Sequence, residues 1–295
     1  MAHTKLRPHP GSAGRNMRVV AERHDAGHVL HLHIGELTRR AIVYRPSRLS
    51  ARPGLVLVLH GAIASADEVL RLTDFNVQAD RLGWVVAYPQ AHRPSIGGGW
   101  DSFACCPQQG VDDLAFIVSL LDRLQSEHGL DHGGAFVTGF SRGGMMAHRL
   151  GCQLSDRVAG IAAVAGNLGD PVGRIDHEAW RPSRPVAVMV VHGDADLNVP
   201  IQGGASPLYP EQIRYAALDQ VMGAWRVWNG CDSSAPTERV EGSVLCRTWS
   251  CGGRPVELRL VIGGSHTWPG PRHRLGTPDA GFDASLVIAE FFRSL

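Results

Sequence analysis

Ala135-Phe136-Val137-Thr138-Gly139-Phe140-Ser141-Arg142-Gly143-Gly144-Met145-Met146 is the stretch that decides the fold. An apolar, strand-like run over 135–138 meets Gly-x-Ser-x-Gly, and a helical pattern over 142–154 begins at once. A serine caught between strand and helix in this way occupies a strained turn, and the flanking glycines let the two backbones pass without side-chain clash. The free N–H groups and positive dipole end of the following helix would stabilise an oxyanion formed beside it. The five-residue pattern alone is weak. The strand-turn-helix context is what makes Ser141 a candidate nucleophile.

Outward from this turn the chain alternates between buried strands and helices. Leu55-Val56-Leu57-Val58-Leu59 is continuously apolar, as a parallel strand buried on both faces should be. Strands are expected at 84–88, 158–165, 186–191 and 256–262, and helices at 67–82, 111–128, 211–228 and 283–292. Before them, Met17 to Ala21, His28 to Ile34 and Arg40 to Tyr44 read as an antiparallel opening. Together these predict an α/β fold, a mostly parallel sheet with antiparallel N-terminal strands and helices on both faces. Residues 1–16 are expected to be a flexible segment and 17–295 a single domain, since no linker or repeat divides the chain. Two long irregular stretches, 91–110 and 166–184, have the length of functional or lid-like loops.

A serine hydroxyl needs a base, and the base needs an acid to fix its tautomer. On this fold the chain order is Ser, then Asp or Glu, then His. The strand over 186–191 runs into His192-Gly193-Asp194-Ala195-Asp196, where both carboxylates qualify by position at the carboxyl end of a parallel strand. Either can simply cap the turn, the role expected of Asp194. The strand over 256–262 ends in Gly263-Gly264-Ser265-His266, so His266 is the expected base. It must be neutral to act, so activity is expected to fall at acid pH. The oxyanion donors are expected to be the N–H groups of Arg142 and of Ala62, with Ile63 as the alternative to Ala62, in the loop after 55–59, and His60 structural. Trp100 and Trp268 are candidates to stack on substrate, against ordinary packing as the alternative. Trp225 and Trp228 read as core, and Asp112 and Asp113 open a helix where capping accounts for at least one of them.

The ordered set His60-Gly61, Gly99-Trp100-Asp101, Cys105-Cys106, Val111-Asp112-Asp113, Gly139 to Met146, His192 to Asp196 and His266-Thr267-Trp268-Pro269-Gly270 resembles the polyhydroxybutyrate depolymerase-type esterases of the α/β-hydrolase superfamily, relatives of feruloyl and acetylxylan esterases. The resemblance spans about Arg40 to Phe292. It implies a serine esterase working through an acyl-enzyme on hydroxyalkanoate esters, with Ser141, Asp196 and His266 as triad; His-Gly-x-x-Asp selects Asp196 over Asp194. Alternatives are an esterase of feruloylated or acetylated polysaccharide, a serine peptidase of the same fold, and a non-catalytic polymer-binding protein. The resemblance also implies a Cys231–Cys251 disulfide and a second bridge from Cys105 or Cys106 to Cys152, against buried free thiols. Departures from the family pattern include Arg142, a long cation beside the nucleophile that would alter substrate preference, Ala62 and Ser265.

Composition narrows the partners. Lys plus Arg number 29 against 28 for Asp plus Glu, with no run of like charge, which argues against nucleic acid and anionic membranes. No apolar stretch approaches the roughly 20 residues needed to span a bilayer. No cofactor is expected. A metal at His24, His28, His31 and His33 is not expected either, since acidic or thiol ligands at zinc spacing are lacking. Family members are commonly exported, whereas the polar residues 1–18 lack the apolar core of a secretory signal, so the chain is expected either to stay inside or to have lost a leader. Oligomeric state is left open.

Overall fold

The alternation in Leu55–Leu59 reappears as geometry. Leu55, Leu57 and Leu59 belong to one core cluster and Val56 and Val58 to another, on the opposite face of the same strand. The computed structural model describes residues 22–24, 27–92, 99–103, 110–130, 134–170, 172–207, 213–270 and 281–295. In chain order its strands are β1 (Glu22–His24), β2 (Gly27–Ile34), β3 (Leu37–Tyr44), β4 (Leu55–Leu59), β5 (Val85–Pro89), β6 (Ala135–Phe140), β7 (Val158–Val164), β8 (Ala187–Gly193), β9 (Gly204–Ala205), β10 (Arg214–Tyr215), β11 (Thr237–Glu241), β12 (Val244–Trp249) and β13 (Val256–Val261). The helices are α1 (Ala66–Thr73), α2 (Phe75–Leu82), α3 (Asp113–His128), α4 (Arg142–Gln153), α5 (Leu218–Trp228) and α6 (Ala284–Arg293).

Eleven strands form one sheet in the order β1-β2-β3-β5-β4-β6-β7-β8-β13-β12-β11. The stretch from β5 to β13 is parallel, and both edges are antiparallel. On one face α3, α4 and α5 bury Phe116, Leu120, Met146, Leu150 and Trp225; on the other, α1, α2 and α6 bury Val69, Phe75, Ile288 and Phe292. Each large core side chain of this kind is worth about 1.5–3 kcal/mol of hydrophobic transfer.

Several expected elements shift. The single helix over 67–82 is two, because Asp74 adopts a left-handed conformation (φ 51°) in which its N–H still caps the Leu70 carbonyl; Asp tolerates that region better than most residues. The helix expected from Glu211 begins at Leu218. Ahead of it Arg214–Tyr215 pairs with Gly204–Ala205, which lets the buried Tyr215 ring pack beside Val199 and Ile213. The hairpin β11–β12, turning through Gly242 at φ 59°, extends the sheet beyond what the sequence pattern indicated. Residues 1–21, including the strand expected at Met17 to Ala21, lie outside the described residues.

Cys231 and Cys251 form a disulfide, joining the end of α5 to the turn between β12 and β13 across a separation of 20 residues. Closing a loop of that length removes unfolded-state entropy worth about 3 kcal/mol. Reduction under non-denaturing conditions is therefore expected to lower the melting temperature by several degrees, measurable by calorimetry with and without reductant. The second bridge is corrected: Cys152 is a free thiol on the inner face of α4, where burial drives its pKa upward. Cys105 and Cys106 lie outside the described residues.

Candidate active site

At the end of β6 the backbone of Ser141 turns through φ 55°, ψ −118°, a region that non-glycine residues avoid. Two glycines make the turn possible. A Cβ on Gly139 would lie 2.5 Å from the Gly143 carbonyl carbon, and one on Gly143 would lie 2.2 Å from the Leu59 carbonyl oxygen. The Ser141 side chain does not cap α4, so its hydroxyl is directed elsewhere. It lies 3.0 Å from His266 Nε2.

His266 stands on the loop between β13 and α6, its ring packed against Phe140 with centroids 5.0 Å apart. Its Nδ1 lies 2.8 Å from Asp196 Oδ2. An ionised carboxylate can only accept, so Nδ1 carries the proton and Nε2 offers its lone pair to the serine hydroxyl. Asp196 Oδ1 accepts from the N–H groups of Asn198 and Val199, both at 2.8 Å. Burial alone would raise this carboxyl's pKa. Hydrogen bonds from His192 and His266, the nearby His266 ring and the Val199 N–H outweigh it and hold the group well below its usual 3.8. Asp194 has the separate task expected of it, a structural one, although across the site rather than within its own turn: its Oδ1 accepts from the Gly263 N–H at 2.6 Å. With Ala195 N–H on Gly264 O at 3.0 Å, this stitches the loop of Asp196 to the loop of His266.

The linkage of these groups to stability has a definite sign. His148, wholly buried on α4, is pushed down to about 3, first by burial and then by the neighbouring His192. Below about pH 6.5 the unfolded chain takes up that proton and the folded one does not, so stability falls as pH drops from about 6.5 toward 3. Asp196, depressed in the fold, adds a further loss below about pH 4. The urea midpoint is thus expected to decline between pH 7 and 5 and more steeply by pH 3.5; a midpoint flat across that range would contradict the burial of both groups.

The loop after β4 packs against the elbow: a Cβ on Gly61 would sit 3.4 Å from both the Phe140 oxygen and Ser141 Cβ. Ala62 follows immediately. The ladder of α4 begins with Met145 N–H on the Ser141 carbonyl, so the Arg142 N–H lies ahead of it at the positive end of the helix. His60 is buried and structural: its Nδ1–H donates to Gly61 O at 2.7 Å, and its Nε2 accepts from the Ala91 N–H at 3.0 Å. Ile63, at φ 59° and 66% exposed, and Leu197, 79% exposed beside the acid, present apolar surface on the loops that carry Ala62 and Asp196.

Three expectations are corrected here. Trp100 is 0% and Trp268 1% exposed, so neither indole offers a face to substrate. Each is turned inward by a buried acceptor: Trp100 Nε1–H donates to the His60 carbonyl and Trp268 Nε1–H to Ser285 Oγ, both at 3.0 Å. The Arg142 side chain is 5% exposed and folds beneath the loop at Gly99, where an added Cβ would meet its Cδ at 2.7 Å. It is not a cation displayed beside the nucleophile. Nor is the described part of 166–184 a free lid, since Trp228 Nε1–H donates to His177 O and Trp180 stacks on Phe103 at 4.1 Å. Asp112 caps α3 through the Ala115 N–H, whereas Asp113 is paired with buried Arg39 at 2.7 Å and accepts from the Asp101 N–H, fixing the segment that carries Trp100.

A parallel sheet with a strained serine at one strand end, and a histidine and an aspartate at two others, defines an α/β-hydrolase. Comparison with solved structures agrees on the fold: an acetyl xylan esterase from Aspergillus awamori superposes with a TM-score of 0.62 at 19% identity, over 87% of this chain and 94% of that one. An S-formylglutathione hydrolase from Agrobacterium tumefaciens gives 0.57 at 14% identity, over 95% and 100%. The chain belongs to the PHB depolymerase family of esterases, which are carboxylic-ester hydrolases: the profile described as "Esterase PHB depolymerase" matches residues 39–177. The "Putative esterase NocK" of Nocardia uniformis subsp. tsuyamanensis is 30% identical over 77% of this chain and 71% of its own length. "Feruloyl esterase B" of Piromyces equi is 27% identical over 77% of this chain; the match spans 42% of that protein.

Proposed function

We propose that Ser141, His266 and Asp196 hydrolyse carboxylic esters through an acyl-enzyme. The observation that carries the reading is the continuous hydrogen-bonded line from Ser141 Oγ to His266 Nε2, at 3.0 Å, and from His266 Nδ1 to Asp196 Oδ2, at 2.8 Å. Ser141 Oγ attacks the ester carbonyl as its proton passes to His266 Nε2. The resulting oxyanion is met by the N–H groups of Arg142 and Ala62. His266 then protonates the departing alkoxide, and a water molecule repeats the sequence on the acyl-serine to release the acid. Asp196 holds the ring and offsets the imidazolium charge while it lasts.

The substrate class proposed first is hydroxyalkanoate oligomer or polymer esters. Its support is the family and the apolar surface that Ile63 and Leu197 expose on the loops carrying Ala62 and Asp196. A feruloyl or acetylxylan esterase is the second reading, favoured by the relatives that carry those activities in their names. Parallel measurement of kcat/KM on hydroxybutyrate oligomers, methyl ferulate and acetylated xylan decides between them. A fluorophosphonate probe is expected to label Ser141 stoichiometrically, and a folded enzyme that resists the probe would defeat the mechanism itself.

A further inference from the structure

We propose that His192 is a positioning residue for the triad: its Nε2–H, locked in one tautomer by the Val199 carbonyl, is shared with the Asp196 carboxylate and fixes the oxygen on which His266 hangs. The proposal rests on the triad reading above and adds to it a second histidine on the same carboxylate oxygen of the acid.

His192 is the penultimate residue of β8, and its side chain is 1% exposed. Its Nε2 lies 2.8 Å from Val199 O and 3.3 Å from Asp196 Oδ2. A carbonyl oxygen can only accept, so the proton of His192 is on Nε2, and the carboxylate shares it as the longer arm of a three-centre contact. The same residue, through its own N–H, donates to Asp196 Oδ1. The segment from Asp196 to Val199 is thereby closed on itself and tied to the strand end by one imidazole. Asp196 Oδ2 thus lies within reach of two rings, His266 at 2.8 Å and His192 at 3.3 Å.

The surroundings suit a neutral ring. His192 Nδ1 is buried and has no hydrogen-bond partner among the described residues, so an imidazolium would place a second, unmatched N–H in the interior. The titratable groups facing it are Asp196 and, from α4, His148. His148 accepts Trp225 Nε1–H at Nδ1, at 3.0 Å, which puts its own proton on Nε2 and keeps that ring neutral as well. Among the described residues no Lys or Arg is paired with Asp196, and the partial positive end of the His192 N–H dipole is what the carboxylate receives from that ring. A hydrocarbon of similar size would fill the space but leave Val199 O and Asp196 Oδ2 each one donor short.

The test uses two variants of the full chain, with kcat/KM followed against pH on p-nitrophenyl butyrate. In His192→Leu the carboxylate loses a donor and acts more strongly on His266, stabilising its imidazolium. The acid limb is therefore expected to move to higher pH, with kcat down about tenfold and KM little changed. His192→Gln, whose amide N–H reaches the position of Nε2, is expected to restore the limb and most of kcat. A folded His192→Leu with a wild-type limb and wild-type kcat would overturn the proposal, and so would a His192→Gln as impaired as the leucine variant. Should His192→Leu fail to fold, 15N–1H correlation of the wild-type rings decides: the signals lost in His192→Gln must belong to an Nε2–H tautomer, and an Nδ1–H pattern overturns the assignment. Failure here is distinguishable from failure of the triad, because Ser141→Ala would still be inactive in the first case and active in the second.

Discussion

Ser141→Ala is expected to yield a folded protein whose ester turnover has fallen about ten-thousand-fold or more. The fold should survive because the hydroxyl serves no structural purpose: it caps no helix, and the hydrogen bond it loses is to His266. Alanine keeps the same Cβ at φ 55°, so the strained turn is neither relieved nor worsened. In the proposed mechanism what disappears is the atom that carries the acyl group, and the proposed oxyanion donors by themselves would accelerate water attack only weakly. Hydrolysis of p-nitrophenyl butyrate, alongside a thermal melt to verify folding, is the measurement. A variant that retained a tenth of wild-type activity would remove Ser141 from the mechanism.

Asp196→Asn is expected to cost about ten-thousand-fold in kcat, for a reason that can be traced atom by atom. The carboxylate accepts from Asn198 and Val199 on one oxygen and from His266, with His192 nearby, on the other. An amide has one oxygen for two such sets. If the oxygen serves the backbone, the NH2 group faces His266 and is satisfied only when Nδ1 gives up its proton. The proton then sits on Nε2, and the base facing Ser141 becomes a donor. If the amide is turned round, two backbone N–H groups lose their acceptor in a buried site, at about 1–3 kcal/mol each. The variant is therefore expected to be slow, less stable, or both; steady-state kinetics together with urea denaturation separate these outcomes, and wild-type values in both would exclude Asp196 as the acid.

Much of this site was legible because its parts sit at strand ends, where sequence pattern and topology coincide. The Leu55–Leu59 run, the Gly-flanked serine and the two later strands running into Asp196 and His266 each announce a buried strand followed by a turn. Chain order then brings three distant residues together. The side-chain directions of loop residues were not legible. Trp100 and Trp268 lie in Gly-rich segments with no periodicity, and each ring turns inward because an acceptor from a remote element, His60 O or Ser285 Oγ, waits there. The same holds for Arg142, whose burial depends on the approach of Gly99. His192 was visible within His-Gly-x-x-Asp, yet nothing in a sequence says that its ring reaches back to the acid four residues later. The hairpin β11–β12 escaped notice because Thr237–Glu241 is exposed on both sides and so lacks alternation.

The stitching of the two loops bears on how the site can move. Gly193 runs so close to the other loop that an added Cβ would stand 2.1 Å from the Gly264 oxygen, and Asp194 bridges to the Gly263 N–H beside it. His266 and Asp196, the proposed base and its anchor, are thus mounted on one bracket, while the Ser141 hydroxyl is mounted on another, at the end of β6. The spacing within the bracket is thus set by contacts between the two loops themselves, whereas the gap between bracket and elbow is set through the sheet and by the packing of His266 on Phe140.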